Sequence, residues 1–586
     1  MNESKTRAER IAQKTRKKLR MVRVAMGEEP ADLVLKNADY VNVFSGEICH
    51  GDIAVAEGLV VGMGDYRGQQ EIDVAGKVVV PGFLDAHIHL ESSLVSPVSF
   101  ARAVLPHGTT TVVCDPHEIA NVCGVEGIDY MMAASEGLPV DVHLMLPSCV
   151  PAMDFEENGE KITWRDINAY FDHPRVLGLA EMMNYPGVIH GDRTTIEKIV
   201  VSQAHHKKID GHAPGLSGHA LNAYMSAGVY SDHECDTAEN GMEKLRKGQF
   251  IMIREGTAAQ NLEALMPLLK PATASRCMFC TDDKHPADLL HLGHIDYICR
   301  KAVALGADPI LTVQVASHNA ARYFLLNNKG AIAPGYLADF AVLDNLTSFG
   351  VKMVFKRGKL VYDGEVCPIP PPSIDPDILQ GVTDTFHLPE VKPDQLAARG
   401  PLPLVGLKAG QIVTENLGVA HGVDVAKDIL KAVVAERHHN TGHVAFCYVQ
   451  GYHMTRGAVA SSIAHDSHNI IAIGVTDEEI ALAVNHLRAM KGGLVVVEGG
   501  AVVEQLPLPV AGLFTDRPLE EVDGQLEKCK AAAFDRGVAP GVDPFMTLSF
   551  LSLPVIPSLR LTTRGVFNVD TLSFVECAPE DGAGGS

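Results

Sequence analysis

The chain has 586 residues, too many for one hydrophobic core, so roughly two to four domains are expected. Its 46% hydrophobic and 21% charged residues belong to a folded globular protein and exclude a disordered tail or a fibre. Fifty basic against 72 acidic residues give a formal net charge of −22, which opposes binding to nucleic acid or to an anionic membrane surface.

At the N-terminus the basic stretch from Lys5 to Arg23 lacks the apolar core of a signal peptide, and Glu3 and Glu9 speak against a transit peptide; it reads as a surface helix. No run of about eighteen apolar residues is free of charges or turn residues, so no membrane-spanning helix is expected. The twelve cysteines are scattered without a disulfide framework, which fits reduced thiols in a cytoplasm. Cys277-Met278-Phe279-Cys280 lies in an apolar run and reads as core packing.

From Ala31 to Val80, short apolar strands (Asp32 to Leu35, Ile53 to Ala56, Leu59 to Val61) alternate with glycines, as in a small β-domain. The same texture returns at Gly335 to Asp344 and Val351 to Val361, so the two flanks are expected to build one composite domain. Between them, residues 81–332 alternate apolar strands with helical-period segments over a length close to the ~250 residues of a (β/α)8 barrel. Strand candidates are Thr110 to Cys114, Val142 to Leu146, Val176 to Ala180, Ile209 to His212, Phe250 to Arg254 and Arg276 to Cys280. In such barrels the chemistry sits at the C-terminal strand ends.

The first barrel strand, entered through Val80-Pro81-Gly82, ends Ala86-His87-Ile88-His89. Side chains alternate along a strand, so His87 and His89 share a face in a chelating geometry. Later strand ends supply Glu181, His212, His233 and Asp282. A single strand-end histidine is more often structural than a ligand. Taken jointly, in the order of strands one, four, five, six and eight, the set of nitrogen and oxygen donors suits zinc, manganese or ferrous iron, and two ions could share it. Asp115, His117 and Glu118 follow strand two, Glu234 adjoins His233, and Arg254 and Glu255 end strand seven.

A proline-rich joint, Cys367 to Ser373, opens a third region that mixes strands (Leu494 to Glu498) with helices (Glu478 to Met490) and carries an apolar run, Phe550 to Pro557. Its motif His465-Asp466-Ser467-His468-Asn469 invites a metal reading, but no further ligand run lies nearby, and contact with the barrel mouth is favoured.

Pro81 to Ser93, Cys114 to Ile119, Gly178 to Val188, Asp210 to Gly215, Met252 to Gly256, Cys280 to Asp283, His465 to Ile470 and Phe550 to Pro557 together resemble the bacterial adenine deaminases, a branch of the amidohydrolase superfamily, over essentially the whole chain. Relatives in the superfamily commonly place a carboxylated lysine on strand four; Glu181 here departs from them as the adenine deaminase branch does. The resemblance implies an α/β fold with a TIM-type (β/α)8 barrel over 81–332, a composite β-sandwich from 1–80 and 333–366, and a C-terminal α/β domain over 374–586. It implies hydrolytic deamination of adenine to hypoxanthine and ammonia, in purine salvage, by a cytoplasmic homodimer. Two divalent ions per chain are expected, manganese first and iron or zinc otherwise: one on His87, His89 and Asp282, the other on His212 and His233, with Glu181 bridging. Asp282 is the expected proton shuttle. A second acid must protonate the ring, with Glu118, His117, Glu234 and Glu255 as candidates. Asp115, Arg254 and Glu255 are candidates for contacting the purine, or for salt bridges between barrel loops.

The His-x-Glu and Pro-Cys-x-x-Cys pair of the other zinc deaminase architecture is absent, as are a dinucleotide loop and a Gly-x-Ser-x-Gly elbow. Two alternatives stay open: another amidohydrolase acting on a different aminopurine or a cyclic amide, and a catalytically silent barrel serving as a binding module.

Overall fold

The computed structural model describes residues 6–575. Thr6 caps a first helix, α1 (Arg7–Ala25): its hydroxyl accepts the Glu9 N–H at 3.2 Å, and the Glu9 carboxylate accepts the Thr6 N–H at 2.7 Å. Only Met21 and Val24 of this helix are buried, against Val34, Ala54 and Val61, so it lies on the surface. Lys5 falls outside the described residues.

Five strands follow: β1 (Ala31–Asn42), β2 (Glu47–Ala56), β3 (Leu59–Gly64), β4 (Gly68–Asp73) and β5 (Val78–Pro81). The barrel strands are β6 (Phe83–His89), β7 (Thr109–Cys114), β8 (Asp141–Leu146), β9 (Val176–Met182), β10 (Lys208–Gly211), β11 (Ser231–Asp232), β12 (Phe250–Arg254) and β13 (Cys277–Cys280), the last prolonged by a short β14 (Asp282–Asp283). Then β15 (Phe340–Leu343), β16 (Val351–Lys356) and β17 (Lys359–Asp363) return to the first sheet, whose order is β17-β16-β15-β5-β1-β2-β3 with β4 also on β1. The long β1 makes this possible. A register shift between Leu35 and Ala38 bends it, so its first half pairs with β4 and its second with β5. The sheet therefore curls over its own core of Leu35, Tyr40, Ile53, Val55, Phe340 and Phe355, drawn from both flanks.

The expected single strand from Val80 to His89 is in fact two. Val78–Pro81 belongs to the curled sheet and Phe83–His89 to the barrel, and at the break Gly82 lies so close to Thr110 that a Cβ would collide with its side chain.

Strands β6 to β10 run parallel in chain order, as do β11 to β13, and the Gly211 N–H reaching Ser231 Oγ at 3.2 Å joins the two arcs. Asp282 opposite Ile88 and Asp283 opposite His89 close the ring. Inward side chains, among them Leu84, Val113, Met145, Met252 and Met278, fill the interior. Cys280 joins them, while Cys277, of opposite parity on the same strand, packs outward with Ile253 and Phe279, so the Cys-x-x-Cys pair is core on both faces.

Past the proline-rich joint, the C-terminal domain is a mixed sheet of β18 (Leu402–Leu407), β19 (Thr414–Ala420), β20 (Leu430–Ala435), β21 (Val444–Gln450), β22 (Ala458–Ser461), β23 (Ile470–Gly474), β24 (Gly493–Glu498) and β25 (Ala501–Pro507), in the order β19-β18-β21-β20-β23-β22-β24-β25. Alternation decides what each face covers. Val433 and Ala435 pack on the amphipathic helix Asp477–Met490, whereas Ala432 and Val434 face a cluster that runs continuously into Leu90, Phe100 and Ile119 of the barrel. The domain thus sits against the barrel through a shared apolar core. Among the described residues no helix is long and apolar enough to cross a membrane.

Candidate active site

Six side chains from five strand ends meet at the mouth of the barrel. Glu181, at the end of β9, is central: its Oε1 lies 3.2 Å from His89 Nε2 and 3.7 Å from His87 Nε2, and its Oε2 lies 2.7 Å from His212 Nδ1 and 3.2 Å from His233 Nε2. Asp282 faces it, with Oδ1 3.0 Å from His89 Nε2 and 3.5 Å from His87 Nε2. Asp282 has φ near 59°, a left-handed conformation that Asp tolerates, and it ends the strand with its carboxylate over the two β6 histidines.

The rings are held from behind. His89 Nδ1 meets the Asp115 carbonyl at 3.0 Å; donating there leaves Nε2 as the free lone pair toward the centre. Beneath the site, Asp85 accepts the Thr281 hydroxyl at 2.5 Å and the His87 N–H at 3.2 Å, tying strand one to strand eight. Asp232 does the same for strands five and six, accepting the Ala213 N–H and the buried Lys244 ammonium, each at 2.8 Å.

Electrostatics follow from this crowding. Burial pushes Glu181 and Asp282 up, but the imidazoles against them, His212 and His233 for the former and His87 and His89 for the latter, outweigh it and hold both carboxyls well below their usual range. His89 and His233 are raised, because their carboxylate partners outweigh the cost of burial. His87 Nε2 is buried and lacks a hydrogen bond although two carboxylates face it. An orphaned lone pair among imidazoles and carboxylates suits a bound cation, and His87, His233 and Asp282, as well as Glu181, His212 and His233, place their donor atoms within 4.8 Å of one another.

The remaining nominated residues separate. His117, Glu118, Glu234 and Arg254 line a cavity of about 290 Å³ over the cluster. Arg254 Nη1 donates to Asp282 Oδ2 at 2.7 Å while the guanidinium also grips both oxygens of Glu234, so Arg254 bridges adjacent strand ends with charge already satisfied. Asp115 does not reach the cavity. It is fully buried and its carboxylate lies 3.2 Å from His117 Nδ1, where it steadies that ring rather than touching a substrate. Glu255 is also turned away: it is paired with Lys301 and accepts the Leu262 N–H at 3.2 Å, because strand alternation points it opposite to Arg254. Neither Asp115 nor Glu255 is placed to contact a purine.

The C-terminal domain completes the wall. His465 Nδ1 lies 2.8 Å from Glu118 Oε1, and His468 Nε2 makes a short hydrogen bond to Glu118 Oε2. The Ala464 N–H donates to His468 Nδ1 at 3.3 Å, so His468 is neutral and gives its Nε2 proton to Glu118; burial likewise pushes His468 down to about 4. Burial raises Glu118, but these two histidines, and then His117, bring it well below the carboxylate range, while Glu118 lifts His465 to about 9. Ile412, Phe550, Leu553, Val555 and Ile556 roof the cavity. No pattern in the sequence marks Ile412, whereas Met183, Tyr185 and the run Phe550 to Pro557 stand within stretches that carry the family resemblance, with no role attached to them.

A closed parallel barrel with this His, Glu and Asp cluster at its C-terminal mouth defines a metal-dependent hydrolase of the amidohydrolase class. The amidohydrolase family matches residues 78–361 and the adenine deaminase C-terminal domain matches residues 410–573. Adenine deaminase 2 of Carboxydothermus hydrogenoformans is 48% identical over 565 residues, 95% of this chain and 98% of that one. Adenine deaminases of Desulfatibacillum aliphaticivorans (45% identical) and Kosmotoga olearia (44%) also match 95% of this chain and 98% of their own. The chain belongs to the adenine deaminase family.

Proposed function

We propose that this protein hydrolyses the exocyclic amine of adenine, giving hypoxanthine and ammonia. What carries the reading is Glu181 on strand four, ringed by His87, His89, His212, His233 and Asp282, under a cavity of about 290 Å³, in a chain 48% identical over 95% of its length to an adenine deaminase. His87, His89 and Asp282 would hold one divalent ion, and His212 and His233 a second, with Glu181 shared; the mixed nitrogen and oxygen donors suit manganese, iron or zinc. Such ions, when bound, lower the pKa of water enough to supply hydroxide near neutral pH.

The side chains then move the protons. Attack of water oxygen at C6 needs N1 to be protonated, and of the carboxylates lining the cavity we assign this to Glu118, because His465 Nδ1, 2.8 Å from it, can keep it supplied with a proton. Glu118 and His465 hold one proton between them, which N1 takes as C6 becomes tetrahedral; one proton of the water replaces it. Asp282 takes the proton of the C6 hydroxyl and passes it to the amine, the C6–N bond breaks, and ammonia leaves. Of the two water protons, one is thus accounted for on N1 and one on ammonia. His117, steadied by Asp115, borders both Glu181 and Glu118 and keeps them apart.

No two of the described cysteines are joined to each other in a disulfide, which supports a reducing, cytoplasmic setting, and exposed Leu417 and Val419 on the edge strand β19 support a homodimer. The test is to incubate purified, manganese-supplied protein with adenine, following hypoxanthine by ultraviolet absorbance and ammonia by a coupled assay, with Asp282→Asn alongside. Adenine turnover by the wild type and its loss in the variant are expected. Turnover of another heterocycle with none of adenine overturns the substrate assignment.

A further inference from the structure

Asp466 is the cavity carboxylate that the chemistry above leaves unused. Glu118, Glu181, Glu234 and Asp282 each face an imidazole or a guanidinium, and Asp283 accepts the Ser92 hydroxyl. Asp466 lines the same cavity, is only 3% exposed, and makes no side-chain hydrogen bond among the described residues. Its Oδ2 is buried without a partner, and the nearest base, His465 Nδ1, is 4.0 Å from Oδ1 and already spent on Glu118.

An unsatisfied buried carboxylate is costly, and a fold retains one where something else completes it. Burial pushes the Asp466 carboxyl up to about 6, the mark of a charge short of donors. The loop does not leave it loose. The His468 N–H donates to the Ala464 carbonyl at 2.7 Å, Asn469 Nδ2 donates to the Glu157 carbonyl at 2.9 Å, and His438 Nε2 meets the Ser467 carbonyl at 2.8 Å. A rigid loop therefore presents an acceptor with no donor to the substrate space.

Resting on the adenine reading, the chemistry of the missing donor can be named. With the exocyclic amine and C6 directed at the Glu181 cluster, the one hydrogen-bond donor of adenine not yet matched is the single N–H of its imidazole ring, carried on N9 or N7; its other free ring nitrogens are acceptors and cannot pair with a carboxylate. We propose that Asp466, supplied by the C-terminal domain, accepts a hydrogen bond from this ring N–H and so selects the free purine base over its N9-substituted forms. A nucleoside has no such hydrogen and would leave the carboxylate buried and unpaired, a rejection that binding through shape alone does not provide.

The test compares metal-loaded wild type with Asp466→Asn, measuring kcat and KM for adenine and the competitive inhibition constant of 9-methyladenine, which lacks a ring N–H. Loss of a hydrogen bond to a charged group is expected to raise KM for adenine about 10- to 100-fold, with kcat and bound metal little changed and 9-methyladenine bound more tightly than by the wild type. An unchanged KM overturns the assignment, as does equal weakening of adenine and 9-methyladenine, which marks a purely structural role. Asp466→Ser, measured in the same way, replaces Asp466→Asn if that variant does not fold. Wild-type protein that releases no ammonia from adenine sinks the deaminase reading itself. Wild type that turns adenine over beside an indistinguishable variant sinks only the role of Asp466.

Discussion

Glu118 and Glu255 show how much a single side chain's direction decides. Position after a barrel strand makes both of them candidate acids. Glu118 opens the helix His117–Ala134 and faces the cavity between two histidines of another domain, whereas Glu255 points outward to Lys301. Glu118→Gln should therefore lower kcat by about 10²–10⁴-fold, the usual worth of a positioned acid, with bound metal unchanged by elemental analysis. Glu255→Gln should leave KM for adenine as it is and cost on the order of 1–3 kcal/mol of stability, since it weakens a buried, hydrogen-bonded charge; urea unfolding beside steady-state kinetics checks both halves. Alternation along β12 made the outward turn of Glu255 predictable once Arg254 was placed inward. Asp115 gave no such signal, because its carboxylate is turned by the backbone at the start of a helix rather than by a strand's period.

At the scale of elements, the loop between β22 and β23 is the part of the C-terminal domain that enters the chemistry. His468 is fixed by the Ala464 N–H on one nitrogen and gives the other to Glu118. His468→Phe should free Glu118, lowering kcat while KM for adenine and metal content hold, and His468→Gln, which keeps a donor, should restore part of the rate. Equal loss in both variants would argue that the loop is only a spacer. The spacing of His465 and His468 was legible as a motif. What they bind was not, since Glu118 lies 350 positions from His468 along the chain and is brought there by packing of the two domains.

For the whole molecule, the barrel floor is joined to the curled sheet by four charges, three buried and Asp141 partly so: Lys329 and Lys356 both reach Asp141 of β8 and Asp339 ahead of β15. Burial raises both carboxyls, but the two ammonium groups more than compensate and hold them below the usual range. A depressed carboxyl contributes stability that is present above its unfolded pKa near ~4 and is lost as pH falls toward the folded value. Stability should thus decline below about pH 4, and Asp141→Asn, which strands two ammonium groups beside one carboxylate, should cost about 3–5 kcal/mol at neutral pH and flatten that acid dependence in urea titrations. Chelation should abolish activity and lower Tm, because ions that bind only the folded chain add to its stability by mass action.

The barrel and the line of candidate ligands at its strand ends were readable from local pattern alone, because period-two alternation and the order of strands are written along the chain itself. That order placed His87, His89, Glu181, His212, His233 and Asp282 at one mouth, and the structure brings their donor atoms together there. Only the tertiary structure could show that one apolar strand was two, that Asp115 and Glu255 serve neighbours instead of the cavity, and that a distant loop supplies Glu118 with its partners and Asp466 with nothing. The reason is physical: alternation fixes which face a side chain takes within its own element, whereas a partner is chosen by the packing of elements that share no periodicity.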